Sequence, residues 1–104
     1  KTGALITASV MAGGILSGAS DEEIAALKTY GENIGLTYQI IDDILDMETD
    51  PEKNAISFPA IYGYEESRQM AVEATEKAIK SLEIFGENAA PLRQLALYLR
   101  DRKQ

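Results

Sequence analysis

YQIIDDILDM, residues 38–47, sets Asp42, Asp43 and Asp46 into a run that is otherwise almost wholly apolar. A carboxylate taken out of water without a partner is costly enough that it protonates or acquires a cation. Whether these three face a core, a cleft or solvent therefore decides both the fold and the chemistry. Placed on a helix of 3.6 residues per turn, Gln39, Asp42, Asp43 and Asp46 occupy a sector roughly 100° wide. Leu36, Tyr38, Ile41, Ile44, Leu45 and Met47 cover nearly all the rest. An apolar arc that wide belongs to a helix packed on most sides, so the acidic strip is expected to face an interior cleft. The alternative is a solvated strip on a surface helix.

Asp42 and Asp46 are one turn apart with Asp43 beside them, so the carboxylates are expected to converge. At ~6 Å and an effective dielectric of ~20, two unit charges repel by roughly 3 kcal/mol. Protonation, a lysine or arginine from elsewhere, or a divalent cation would relieve that cost. No basic residue lies within a turn of the strip in this stretch. Oxygen-only ligation completed by water is what magnesium prefers, and substrate phosphates commonly fill its remaining positions. Gly31 and Gly35 fall on or near the same face and are expected to leave room for a ligand.

Outward from this stretch, every segment reads as helix. Residues 2–18 carry Leu5, Ile6, Val10, Met11 and Ile15 among many alanines and glycines, and small residues suit close helix-to-helix approach. Gly18 ends that element. Ser20 and Glu23 form a capping box that starts the long helix, expected to run to about Met47, with Asp21 and Glu22 at its positive end. Residues 50–54, DPEKN, are turn chemistry, and Ser57-Phe58-Pro59 opens a new helix. Gly63 interrupts it. Met70, Ala71, Ala74, Ala78, Leu82 and Phe85 then recur at spacings of three and four, predicting a helix over 64–85. A last helix begins near Pro91 and ends on Arg100, Arg102 and Lys103, where the negative helix end favours cations. The fold class is all-α, a helical bundle in one domain unit spanning 1–104.

Composition narrows the function. Seventeen acidic and ten basic residues in 104 give a net charge of −7, which argues against a nucleic-acid partner. With no cysteine and no histidine, thiolate zinc sites, disulfides and imidazole-based catalysis are excluded. Any metal must be oxygen-bound. No apolar run reaches about 18 residues, so no transmembrane segment is expected. Nor is there a signal-peptide pattern, and a cytoplasmic location is the expectation.

GLTYQIIDDILD, residues 35–46, strongly resembles the second aspartate-rich motif of the trans-isoprenyl diphosphate synthases, in which an aromatic residue and a glutamine precede DDxxD. Lys1-Thr2, about forty residues earlier, resembles that family's Lys-Thr pair, and SFPAIYGYEESR, residues 57–68, resembles the helix opening after the motif. The resemblance extends over essentially the whole chain. It implies an all-α isoprenoid synthase fold with a central cavity. It also implies Mg²⁺-dependent condensation of an allylic diphosphate with isopentenyl diphosphate, and a homodimer. Carried over by position, Asp42, Asp43 and Asp46 hold Mg²⁺ on the allylic diphosphate. Lys1, Thr2 and Gln39 contact the diphosphate oxygens or the reacting centre, and Tyr38 takes the aromatic position just before.

The chain departs from the family pattern in two ways. Nothing in it matches the family's first aspartate-rich motif, and the loop after the second is short, only residues 48–56. Lys53 stands in there for one of the family's loop bases, while Ala55 occupies a usual basic position. The expectation is a carboxyl-terminal part of a synthase that carries half of the metal site and does not catalyse condensation alone. Two alternatives are a noncatalytic helical subunit or remnant, and a related Mg²⁺-dependent terpenoid enzyme such as a cyclase or a head-to-head condensing synthase.

Overall fold

A computed structural model of the chain describes residues 2–49 and 57–103. The elements are α1 (Thr2–Leu16), α2 (Asp21–Thr49), α3 (Phe58–Tyr62), α4 (Tyr64–Ser81), a 3₁₀ stretch (Glu83–Ala89) and α5 (Ala90–Asp101), with no strand among the described residues. At 1.5 Å per residue the 29 residues of α2 span about 43 Å, and this helix sets the 47 Å long axis of the molecule.

Local chemistry fixes most helix ends. Ser20 N–H donates to Glu23 Oε1 at 2.8 Å while Glu23 N–H donates to Ser20 Oγ at 3.1 Å, the reciprocal box expected at the start of α2. Gly18 at φ 78° makes the preceding turn. Ser57 Oγ accepts from Ala60 N–H at 3.3 Å and caps α3, and Gly63 at φ 86° divides α3 from α4. The predicted helix over 64–85 ends sooner, at Ser81. Leu82 N–H bonds back only three residues, to Ile79 O, and the tightened chain continues to Gly86, whose φ of 60° and ψ of −139° no helix accommodates.

The core forms around α2 in two clusters. Tyr30 and Ile34 pack with Ala78, Leu82, Ala89 and Ala96; further along, Ile40, Ile41 and Ile44 pack with Ala71. Between the clusters lies a buried polar seam: Thr37 Oγ1 and Thr75 Oγ1 are 3.1 Å apart, and Thr75 donates to Ala71 O at 2.8 Å. Alanines at 71, 74 and 78 give α4 a small-residue face, which lets it lie close to the isoleucines of α2.

α1 lies antiparallel on α2, and here the glycine expectation is corrected. Gly31 does not leave room for a ligand: a Cβ there would stand 2.7 Å from Thr7 Cα, so α1 itself occupies the space. Gly35, one turn on, is also buried. Gly31→Ala should therefore push backbone from backbone and destabilise by about 1–2 kcal/mol net, after allowing for alanine's better helix propensity. Gly13→Ala, whose Cβ would meet nothing within 4 Å, should stabilise by up to ~1 kcal/mol. Urea denaturation midpoints shifting in opposite directions would verify the pair.

Candidate functional site

Thr7 sits against Gly31, and five residues of helix back from Thr7 is about 7.5 Å. The backbone of Thr2 thus reaches the level of Leu36, just under one turn before Gln39. Thr2 is helical, with only its backbone described. Lys1 and Lys53 lie outside the described residues.

The interior-cleft expectation is not met among the described residues. Gln39 and Asp46 are exposed, and Tyr38, Asp42 and Asp43 are half-buried. The buried arc of α2 is taken up by α1, α4 and α5, and none of them crosses over the strip. Nor do the carboxylates converge: no group of three or more acidic side chains among the described residues stands close enough to hold a metal ion. Asp42 and Asp43 have separate partners. Asp43 Oδ2 accepts from Phe58 N–H at 3.1 Å, which ties the start of α3 to the strip. Asp42 Oδ1 lies 3.7 Å from Arg102 Nη2.

Arg102 is the residue that helical periodicity misses. Read along the chain it is a favourable cation at the end of α5. In three dimensions its guanidinium lies over the Tyr38 ring, 4.4 Å from the centroid, and donates to Tyr38 O at 3.2 Å. Of the three outcomes open in the sequence for relieving the carboxylates, an arginine from elsewhere holds for Asp42. Arg68 Nη1, on α4, donates to Arg100 O at 3.4 Å, tying α4 to the end of α5 from which Arg102 departs. Tyr62 and Tyr64 are both about half exposed, and the Tyr62 ring lies 5.9 Å from that of Phe58.

Magnesium suits this donor set by chemistry. The strip offers oxygen ligands alone, on one helix face, with water access to each. The ion takes one or two carboxylates and leaves other positions to phosphate and water. The present partners of Asp42 and Asp43 are an extended, half-exposed ion pair and a single backbone N–H, both of which a divalent cation can displace.

Comparison with known proteins adds independent findings. A family described as polyprenyl synthetase matches residues 1–84. A dimethylallyltranstransferase of Fischerella ambigua is 40% identical, over 95% of this chain and 32% of the relative. A geranylgeranyl diphosphate synthase of Cyanophora paradoxa is 34% identical over 98% and 38%. A chloroplastic geranylfarnesyl diphosphate synthase of Leucosceptrum canum is 38% identical over 88% and 29%. The chain thus spans about a third of the length of the curated relatives it matches. Some relatives are named chloroplastic and one mitochondrial, so compartment varies among them. No helix among the described residues is long and apolar enough to cross a membrane.

Proposed function

The chain belongs to the polyprenyl synthetase family, and from that premise we propose that it supplies the second metal- and diphosphate-binding helix of a prenyltransferase joining an allylic diphosphate to isopentenyl diphosphate. The observation that carries this reading is the strip itself. Gln39, Asp42, Asp43 and Asp46 share one partly to fully exposed face of α2, continuous with the exposed Glu32 and Leu36, while Ile40, Ile41 and Ile44 on the opposite side are buried.

Asp42, Asp43 and Asp46 would hold Mg²⁺, which supplies positive charge against the departing diphosphate. Lys1, Thr2 and Lys53 would bind diphosphate oxygens. Gln39, exposed on the same face, would orient the reacting end by hydrogen bonding. Tyr38 keeps one side of its ring against Arg102 and so holds the edge of the strip in place. The apolar flanks of α2 would help exclude water from the allylic cation. α1 also leaves Leu5 and Ile15 exposed, at 68% and 59%, and this apolar surface supports burial against the remainder of a synthase or a second copy in a homodimer.

Calorimetric titration with inorganic pyrophosphate, with and without Mg²⁺, tests the reading. Binding should require the metal; pyrophosphate binding indifferent to Mg²⁺, or none at all, overturns it. A noncatalytic helical subunit is the second reading, favoured by the separated carboxylates, and the same titration distinguishes it by giving no binding. The half-site part of the proposal has its own check. The chain by itself should give no transfer of radiolabelled isopentenyl diphosphate to an allylic acceptor, and robust turnover would refute that part.

A further inference from the structure

We propose that Arg102 is a positioning residue that holds the place of the cation on Asp42 until Mg²⁺ arrives, and that it then serves the incoming diphosphate. The inference rests on the metal-site reading above. It begins from the state of the guanidinium. The Arg102 side chain is only 10% exposed, and a cation so far removed from water must be compensated. Its contacts include the Tyr38 ring face, Tyr38 O and the Asp42 carboxylate.

The nearer acid is taken. Arg100 Nε and Nη2 hold both oxygens of Asp101 at 2.8 Å, and this bidentate pair holds the Asp101 carboxyl below its ordinary range. The helix ends at Arg102, where ψ of 154° carries the following chain away from α5. Arg68 anchors the last turn of α5 through Arg100 O. The occupied Asp101 and this anchor together favour Asp42 as the acid Arg102 meets.

The contact to Asp42 is the weak one of the three. At 3.7 Å, with the Asp42 side chain 48% exposed, it is a loose ion pair, whereas the ring and carbonyl contacts are close. Asp42 can turn to a divalent cation while the guanidinium stays on Tyr38. A cavity of about 270 Å³, lined by Arg68, Asp101, Arg102 and Lys103 together with Ile41 and Tyr64, adjoins the guanidinium and gives it room to adjust. Once Asp42 has gone to the metal, the Arg102 N–H groups that faced it point at the strip and can donate to a phosphate oxygen.

The charge logic predicts effects of opposite sign. A nearby guanidinium repels Mg²⁺ and attracts diphosphate, so Arg102→Gln should tighten Mg²⁺ binding in the absence of anion and weaken Mg²⁺-dependent pyrophosphate binding, each by about two- to fivefold. Arg102→Lys, which keeps the charge, should leave Mg²⁺ affinity within about twofold of the unaltered protein. In NMR titrations of the protein with Mg²⁺ alone, the Arg102 Nε–H and Tyr38 ring signals should move together with occupancy. A purely structural role would shift both affinities in the same direction. Unchanged Mg²⁺ affinity in Arg102→Gln, or weaker binding of both ligands, overturns the proposal alone. Failure of the unaltered protein to bind Mg²⁺ overturns it together with the metal-site reading.

Discussion

Replacing Asp42 and Asp43 together by asparagine is expected to lower Mg²⁺-dependent pyrophosphate affinity by about a hundredfold or more. Loss of even a residue that supports a metal ligand typically costs tenfold to a hundredfold, and here two proposed ligands lose their charge. Asparagine keeps the shape, and its amide oxygen can still accept from Phe58 N–H as Asp43 Oδ2 does now. The stability effect should be small: neutralising two neighbouring acids relieves some repulsion, while Arg102 loses its half-exposed carboxylate partner. A solvated strip without a ligand would show the same small change with no binding to lose. Calorimetry on the double variant, with thermal unfolding in parallel, separates the two outcomes.

Tyr30→Ala is expected to cost about 3–5 kcal/mol, the range for truncating a buried aromatic side chain. Tyr30 is fully buried in the first core cluster, and its hydroxyl donates to Leu92 O at 2.8 Å across 62 residues of chain. One residue therefore fastens α2 to α5 and fills the space between them. For a domain of this size, whose whole stability is of order 5–15 kcal/mol, the midpoint of thermal unfolding should fall by about 15 °C or more. Tyr30→Phe keeps the ring and should cost only about 1 kcal/mol. The hydroxyl also leaves a mark in alkali. Burial raises its pKa from 10.0 to about 12. The unfolded chain thus gives up this proton before the folded one does. Its contribution is complete below pH 10 and is lost as pH climbs toward 12. Tyr30→Phe should lack that component, and urea unfolding at pH 9 and 11 for the two proteins would measure it.

Helical pattern and end chemistry were legible because both are local. The Ser20–Glu23 box, the turn at Gly18, the Ser57 cap and the break at Gly63 each need only residues within one turn. The end of α4 was less legible. Leu82 and Phe85 continue the apolar spacing, yet the positive φ at Gly86 draws the preceding turn into 3₁₀ geometry. The glycine at 31 was legible as small but not as to purpose, since room for a ligand and room for a helix look alike in one dimension. Thr7 supplies the answer from 24 residues away. A signal for Arg102 did exist, in the basic run after α5, but charge at a helix end is explained sufficiently by the dipole.

By itself, the sequence determined an all-α chain in which any metal must be oxygen-bound, with an acidic strip of definite angular width. Helix period, caps and the absence of cysteine and histidine depend on covalent order and nearest neighbours. Only the tertiary structure decided what each strip residue meets. The crossing of α2 and α5 brings Arg102 to Tyr38 and Asp42 over sixty or more residues of separation, and the start of α3 takes Asp43. Those partners come from helix packing, where side-chain volume sets which surfaces approach, and no periodicity within a single helix encodes that.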